Sequence, residues 1–278
     1  MFKDLMVHLD GTDEDEIRLA HAESIAVAFG AHLTGLYANP LPEYAAAFAG
    51  EPGFTAMEAV VEMEERARNE GELVLARLKE RFARVDAPNE VRRLAAQASE
   101  IPRLGASEAR WADLFVASAP YRSSDASVGD DLLEAVLFGA GHAVYAVPPG
   151  AKVRDATYAV VVAWEDTRES ARAVAEALPF LTRATKTRIV MVDGEGGAGE
   201  AAVDIAAHLD RHGVNVEIVS VEAGERTVAQ ALIDEARKTS ADLIVMGAYG
   251  HSRFREWILG GATREMLETS EVPILMAH

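Results

Sequence analysis

Two glycine clusters near the end of the chain have the residue types and spacing that could hold a phosphate group. Gly247-Ala248-Tyr249-Gly250 follows an apolar run, and nine residues later Gly260-Gly261-Ala262-Thr263 opens a predicted helix. Glycines let backbone N–H groups approach an anion, and a helix start adds unpaired donors and a positive dipole end. The Thr263 hydroxyl could add one more donor. Positive charge could come from three nearby arginines, Arg253, Arg255 and Arg264.

An alternative interpretation of these glycines needs no ligand. A lone G-x-x-G more often marks a tight connection between a strand and a helix, where glycines allow close packing. Here the two clusters directly follow a hydrophobic strand pattern, and a terminal Val-Pro-Ile-Leu strand comes after them. This order of strand, loop and helix is the context that a phosphate-binding motif requires. The sequence therefore favours phosphate binding.

The elements that must position these loops alternate between strands and helices along the whole chain. The first half contains five short apolar runs, Asp4–Leu9, Ala31–Tyr37, Val91–Ala95, Ala112–Ala117 and Ala143–Val147. The second half contains five more, Tyr158–Trp164, Thr187–Val192, Asn215–Val219, Ala241–Met246 and Val272–Met276. Predicted helices separate them, including a long one over Thr55–Arg84 and a last one over Arg255–Thr269. Because Pro148-Pro149-Gly150 interrupts regular structure, we predict two domains, residues 1–150 and 151–278.

Short buried strands separated by helices are typical of a parallel sheet, because right-handed crossovers place helices on both of its faces. The pattern predicts an α/β fold made of two tandem, open, five-stranded parallel-sheet domains of the Rossmann-like kind. Ligands of such sheets bind at the carboxyl ends of the strands, where the strand order reverses. Residues that directly follow a strand are thus the first candidates for a site.

Composition excludes several classes of function. The net charge of −18 argues against broad nucleic-acid binding, which depends on Lys and Arg. The absence of cysteine excludes disulfides, thiolate catalysis and cysteine-ligated metals, and it is typical of a cytoplasmic protein. No apolar run reaches the ~18 to 20 residues that a membrane span needs, and no signal peptide is expected at the N-terminus.

The spacing Gly247-x-x-Gly250-x9-Gly260, followed by Thr263 and Val272-Pro273-Ile274-Leu275, resembles the nucleotide-binding signature of universal stress proteins. The resemblance extends to the strand order of both halves. It implies a fold like that of the adenine nucleotide alpha-hydrolases and a bound ATP, ADP or AMP, with or without Mg²⁺. In the ATP-binding members the glycines and a following Ser or Thr hold the phosphates, and the ends of the first two strands frame the adenosine.

Carried over to this chain, the resemblance implies a nucleotide site in the second domain, with no catalytic residue and no metal ligand. The residues that would form it lie at the strand ends and in the loop: Ala163, Trp164, Glu165, Val192, Asp193, Met246, Gly247, Gly250, His251, Arg253, Gly260, Gly261, Ala262 and Thr263. Two positions depart from the family pattern. Gly261 stands where the family usually has Ser or Thr, and Glu165 stands where it usually has Asp.

The first domain keeps Asp10-Gly11-Thr12 but not the glycines of the loop. Two registers are open: Gly247 and Gly250 correspond either to Ala117 and Pro120 or to Ser118 and Tyr121. Asp130-Asp131 falls near the position of Gly260-Gly261, and a carboxylate facing a phosphate is repelled by it. We therefore expect no phosphate-bearing ligand in the first domain.

The leading hypothesis is a regulatory, stress-linked adenine-nucleotide binder with little or no turnover, because no general base or metal-binding Asp pair is evident at the loop. The alternatives are a slow ATP hydrolase and a ligand-free interaction module. His208 and His212 have a spacing that can bind zinc, but without a third ligand they are interpreted as a solvated helix face.

The two final strands, Ala143–Val147 and Val272–Met276, carry no charge, and such an exposed edge invites aggregation. Since single-domain members of the family commonly pair through their final strands, we expect these two to pair within the chain. The chain would then be an internal pseudo-dimer of its two domains. The sequence does not decide whether whole chains form a further homodimer. The insertion Asn39–Gly53 could be a lid, a partner surface or a folded loop.

Overall fold

The computed structural model of the chain describes residues 1–43, 54–122, 128–153, 158–192, 198–249 and 261–278. Its contacts separate two units. The N-terminal unit consists of Phe2–Ala117 and Asp125–Ala140, and the C-terminal unit of Met1, Ser118–Ser124 and Gly141–His278. The division predicted at Gly150 follows the sequence repeat, whereas the spatial units place the last strand of the first repeat in the C-terminal unit.

The N-terminal unit contains four strands, β1 (Asp4–Leu9), β2 (His32–Leu41), β3 (Asn89–Gln97) and β4 (Leu114–Ser118, of which Ser118 is counted in the other unit). Its described helices are α1 (Glu14–Phe29), α2 (Phe54–Phe82), α3 (Ile101–Ala109) and α4 (Val128–Gly139). The strands lie in the order β3-β2-β1-β4, and the pairs β1–β2, β1–β4 and β2–β3 are all parallel. The apolar runs of β1 and β4 are buried, as expected for strands covered on both faces.

The C-terminal unit contains six strands, β5 (Ala143–Val147), β6 (Tyr158–Ala163), β7 (Ala184–Val192), β8 (Val216–Val221), β9 (Leu243–Gly247) and β10 (Ile274–Ala277). Its described helices are α5 (Arg168–Leu181), α6 (Ala198–Arg211), α7 (Val228–Thr239) and α8 (Gly261–Thr269). The strand order is β5-β10-β9-β6-β7-β8. The predicted α/β fold with parallel strands is confirmed.

The two final strands pair with each other, as the sequence predicted. β5 runs antiparallel to β10, with Ile274 opposite Ala146, Leu275 opposite Tyr145 and Met276 opposite Val144. Every residue of both strands is buried. The pairing covers the edge that each uncharged strand would otherwise present.

Some element bounds differ from the predicted ones. β2 runs four residues past Tyr37, because it keeps pairing with β3 as far as Leu41 opposite Gln97. Asn39, Pro40 and Leu41, predicted as the start of an insertion, therefore belong to a strand, while residues 44–53 lie outside the described residues. The last helix is described from Gly261 onward. None of the described helices is long and apolar enough to cross a membrane.

Candidate functional site

The strand order of the C-terminal unit reverses between β6 and β9. From β6 the chain continues through β7 and β8 on one side, and then adds β9 and β10 on the other. The last pair across this reversal is Ala163 opposite Met246. Such a reversal opens a crevice at the carboxyl ends of the strands, which is where open α/β sheets bind ligands. Two of the predicted site residues therefore lie on either side of the crevice.

Trp164 follows β6 at this crevice. Its backbone N–H donates to the Val190 carbonyl at 2.9 Å, so the residue continues the pairing of β6 with β7. The Trp164 indole Nε1 is buried and has no hydrogen-bond partner among the described residues. An indole N–H can only donate, and a buried donor without an acceptor costs about 1–3 kcal/mol. A water molecule or a ligand atom could supply that acceptor.

Glu165 and Val192 lie at the ends of the same two strands. The Glu165 side chain is exposed, and its carbonyl accepts a hydrogen bond from the Thr167 N–H at 2.7 Å. Thr167 then caps α5, its hydroxyl accepting from the Ser170 N–H at 3.3 Å. Val192, the last residue of β7, is half-buried. Glu165 thus begins a tight turn into α5.

The loop after β9 is tied to the start of α8. Tyr249 adopts a left-handed conformation with φ of 57°. Its N–H donates to the Thr263 hydroxyl at 3.4 Å, and Thr263 is buried. An accepting hydroxyl keeps its own proton to donate elsewhere. Thr263 therefore joins the loop to the first turn of the helix, as a phosphate-binding loop requires.

Gly261 and Ala262 form the first positions of α8. Gly261 is exposed, and a Cβ built on it would have no atom within 4 Å. Ala262 is half-buried. Gly261 thus has room for a side chain among the described residues, and it lies in the first turn of α8, at the positive end of the helix dipole.

Close packing against a helix requires a glycine at position 247. A Cβ at this position would lie 2.6 Å from the Ser170 nitrogen and 2.7 Å from the Glu169 carbonyl carbon. The first turn of α5 therefore approaches the end of β9 more closely than a side chain permits. For this residue the ligand-free interpretation of the glycines has direct support. Five other predicted site residues, Asp193, Gly250, His251, Arg253 and Gly260, lie outside the described residues, and their contacts stay predictions.

Matching hydrogen bonds resolve the register between the repeats. The Ala119 N–H donates to the Val147 carbonyl at 2.8 Å, just as the Ala248 N–H donates to the Ala277 carbonyl at 2.9 Å. Ala119 therefore corresponds to Ala248. It follows that Ser118 and Tyr121 stand where the second repeat has Gly247 and Gly250.

The strand end of the N-terminal unit is filled by its own side chains. Asp10 accepts from the Thr12 hydroxyl at 2.6 Å and from Arg18 Nη2 at 2.8 Å, and Arg18 also pairs with Asp15. Arg18 is only 2% exposed. Burial raises the pKa of the Asp10 carboxyl, but the Arg18 guanidinium and the two hydrogen bonds outweigh burial and hold that pKa well below its usual range.

Helix α2 packs against the chain at the carboxyl end of the same strand, β1. Gly11 has φ of 84°, and a Cβ on it would meet Val74 of α2 at 2.8 Å. Farther along, Arg93 of β3 donates to Asn39 Oδ1 at 2.9 Å and to the Arg68 carbonyl of α2 at 2.9 Å. Asp130 and Asp131 lie in the first turn of α4, where their charge opposes an anion. These contacts support the expectation that this unit holds no phosphate-bearing ligand.

Sequence reasoning missed the buried Arg18. The only available signal was the spacing of Asp15 and Arg18, three residues apart on a helix, which lets two side chains meet. That spacing does not tell a buried pair from an exposed one. His208 and His212 were interpreted as a solvated face, and both are exposed, with ring centroids 4.8 Å apart. No group of three metal-binding side chains occurs in the described part of the chain.

His8 should make the stability of the chain depend on pH. Burial and then the neighbouring Arg18 lower the pKa of His8 from 6.5 to about 3, so the folded protein keeps the ring neutral. Below pH 6.5 the unfolded chain takes up a proton that the folded chain does not, so stability falls as pH falls toward 3. The loss from this group between pH 7 and pH 5 is about 2 kcal/mol.

The measurement is urea unfolding at pH 7 and pH 5 for the wild type and for His8→Asn. Asparagine places an amide oxygen near the Nδ1 position, which contacts Arg18 Nη1 at 3.3 Å, but it does not titrate. We expect the variant to lose less stability than the wild type between the two pH values, by about 2 kcal/mol. Equal pH dependence of the two proteins would show that His8 does not titrate on unfolding in this range.

Comparisons with known proteins agree with the fold and the repeat. The model of the universal stress protein family matches residues 142–278. No curated protein matches the chain. A universal stress protein from Archaeoglobus fulgidus DSM 4304 superposes with a TM-score of 0.70 at 19% identity, covering 99% of this chain and 96% of its own.

Two solved structures from Pseudomonas aeruginosa also cover nearly the whole chain. One, from strain UCBPP-PA14 and assigned to the universal stress proteins, has a TM-score of 0.56 at 14% identity and covers 99% of this chain and 93% of its own. The other, of unknown function from strain PAO1, has a TM-score of 0.56 at 15% identity and covers 99% and 92%. At these identities the likeness shows the fold. The family match shows that residues 142–278 belong to the universal stress protein family.

Proposed function

We propose that the C-terminal unit binds one adenine nucleotide, ATP, ADP or AMP, with or without Mg²⁺. The observation that carries the proposal is the reversal of strand order between β6 and β9, where Ala163 pairs with Met246 at the carboxyl ends of the strands. The adenosine would lie against the ends of β6 and β7. Its phosphates would reach the open backbone at Gly261 and the buried hydroxyl of Thr263.

Three features of the described residues support this assignment. The indole N–H of Trp164, the residue that follows β6, is buried without an acceptor among the described residues. The first turn of α8 is accessible at Gly261 and is joined to the loop after β9 through Thr263. The equivalent strand end in the N-terminal unit is occupied by Arg18, Asp15 and Val74. These features support one nucleotide site in each chain.

The proposed role is regulatory and linked to stress, with little or no turnover. No group of three or more His, Cys, Asp or Glu side chains that could hold a metal ion occurs among the described residues. Any ATP hydrolysis should therefore be far slower than the ~1–10³ s⁻¹ typical of enzymes. A metal-dependent rate within that range, in protein free of contaminating ATPase, would favour the alternative of an ATP hydrolase.

Calorimetric titration with ATP, ADP and AMP tests the site. We expect a stoichiometry of one nucleotide per chain. Two equivalent sites would contradict the assignment of the N-terminal unit as ligand-free. No binding at millimolar nucleotide would contradict the proposal and favour a ligand-free interaction module, an alternative that the packing reason for Gly247 supports.

Replacing Thr263 with valine should weaken nucleotide binding. Valine keeps the shape of the side chain but removes the hydroxyl that accepts from Tyr249 and could donate to a phosphate. One hydrogen bond of about 1 kcal/mol corresponds to a roughly fivefold loss of affinity. Thr263→Ser retains the hydroxyl and should bind within about twofold of the wild type. Equal affinities of the valine and serine variants would exclude the hydroxyl as a contact.

A further inference from the structure

The segment Ser118–Arg122, which begins at the last residue of β4, belongs to the C-terminal unit rather than to the N-terminal one. Its register places Tyr121 where the second repeat has Gly250. Tyr121 itself adopts a left-handed conformation with φ of 64°, an uncommon one for a residue with a bulky side chain. The first repeat therefore forms a left-handed turn at this position without a glycine.

The side chains of half-buried Tyr121 and exposed Arg122, at the end of this segment, both contact α8. The guanidinium of Arg264, in the first turns of α8, lies over the Tyr121 ring at 4.9 Å from its centroid. Arg122 Nε donates to the Leu267 carbonyl at 3.0 Å, and Arg122 Nη2 donates to the Ser270 carbonyl. Arg122 thus satisfies two carbonyls at the C-terminal end of the helix, where a positive charge also stabilises the helix dipole.

A helix of nine residues needs such contacts. An isolated helix of this length is marginal in water, so its position depends on what packs against it. Its buried side consists of Thr263, Met266 and Leu267. On its polar side the Thr227 hydroxyl of α7 donates to Glu265 at 2.8 Å. Tyr121 and Arg122 add contacts near the first turns and at the last turn of the helix.

We propose that Tyr121 and Arg122 are positioning residues for the nucleotide phosphates. They fix α8 so that its N-terminal amides and Thr263 face the crevice at the carboxyl ends of β6 and β9. The segment of the first repeat that lost the phosphate-binding glycines thereby supports the phosphate-binding helix of the second repeat. This inference rests on the proposed nucleotide site, and its action is confined to the phosphate part of the ligand.

Arg122→Ala tests the proposal in the full chain, with ADP and adenosine as probes. The loss of two charge-assisted hydrogen bonds that hold the helix should weaken ADP binding about tenfold and leave adenosine affinity within about twofold. Arg122→Lys, which keeps a charged donor, should recover most of the affinity. Arg110→Ala is the matched control, because exposed Arg110 donates to the Gly139 carbonyl at the end of α4 in the N-terminal unit.

Amide hydrogen exchange of α8 gives a second readout that needs no nucleotide. Exchange of the α8 amides should be faster in Arg122→Ala than in the wild type and unchanged in Arg110→Ala. Unchanged ADP affinity in Arg122→Ala, or an equal loss for ADP and adenosine, would overturn the proposal. If Arg122→Ala does not fold, Tyr121→Leu replaces it with the same criteria, because it removes the aromatic ring that lies beneath Arg264.

These readouts separate the two proposals. If the wild type binds neither ADP nor adenosine, the proposed nucleotide site is wrong. Hydrogen exchange then tests separately whether Tyr121 and Arg122 stabilise α8. Unchanged exchange of the α8 amides in Arg122→Ala would show that Arg122 does not stabilise the helix either. Faster exchange in Arg122→Ala that is limited to α8 would support the structural part of the inference, namely that Arg122 stabilises this helix.

Discussion

Replacing Val144 with lysine is expected to unfold the C-terminal unit. Val144 lies in β5 opposite Met276 of β10, and neither side chain has any exposed surface. All five residues of β5 are buried. A lysine ammonium at this position would therefore be removed from water, and no group is prepared to pair with its charge. A buried charge that lacks its partner typically destabilises a protein by about 3–5 kcal/mol, which is a large part of the total stability of a domain.

Urea unfolding followed by circular dichroism measures the effect. Val153→Lys is the matched control, because Val153 lies nine residues farther along the chain and is 37% exposed. We expect the control to change the free energy of unfolding by less than about 0.5 kcal/mol. Since Val144 precedes the Pro148-Pro149-Gly150 boundary of the repeats, the result also tests whether β5 is an integral strand of the C-terminal unit. A Val144→Lys protein with the midpoint of the control would show that it is not.

Much of the fold could be predicted from the sequence because the strands are short apolar runs with turn residues on both sides. β1, β5 and the helix pattern of the second half needed little more than this alternation. The pairing of β5 with β10 could be predicted because neither strand carries a charge that would protect an exposed edge. The extension of β2 to Leu41 could not, since it depends on a partner strand that is distant in the sequence.

The site was harder to predict, because one residue type serves two physical purposes. A glycine after a strand permits an anion to approach the backbone, and it equally permits a helix to approach. At Gly247 the structure shows the close helix, and at Gly261 it shows open space. The filled strand end of the N-terminal unit also required a structure, because Arg18 and Val74 come from helices whose buried faces the sequence pattern leaves uncertain.

Gly247→Ala is expected to destabilise the C-terminal unit by about 1–3 kcal/mol, the range for an extra methyl group forced into a packed site. The new methyl group would lie 2.6 Å from the Ser170 nitrogen and 3.0 Å from the Glu169 Cβ, so β9 and the first turn of α5 would have to separate. The contact is with backbone atoms, which cannot rotate away as a flexible side chain could. The measurement is the free energy of unfolding in urea.

Gly261→Ala is the matched control, and it separates the two purposes of these glycines. A methyl group at Gly261 meets no described atom within 4 Å, and φ there is not positive, so alanine should leave stability unchanged or raise it by up to about 1 kcal/mol. If the phosphates lie against this backbone, the same methyl group should obstruct them and weaken nucleotide binding several-fold. Loss of stability at Gly247 with loss of affinity at Gly261 is therefore the expected pair of results. Equal stability of the two variants would contradict the packing role of Gly247, and unchanged affinity of Gly261→Ala would place the phosphates elsewhere.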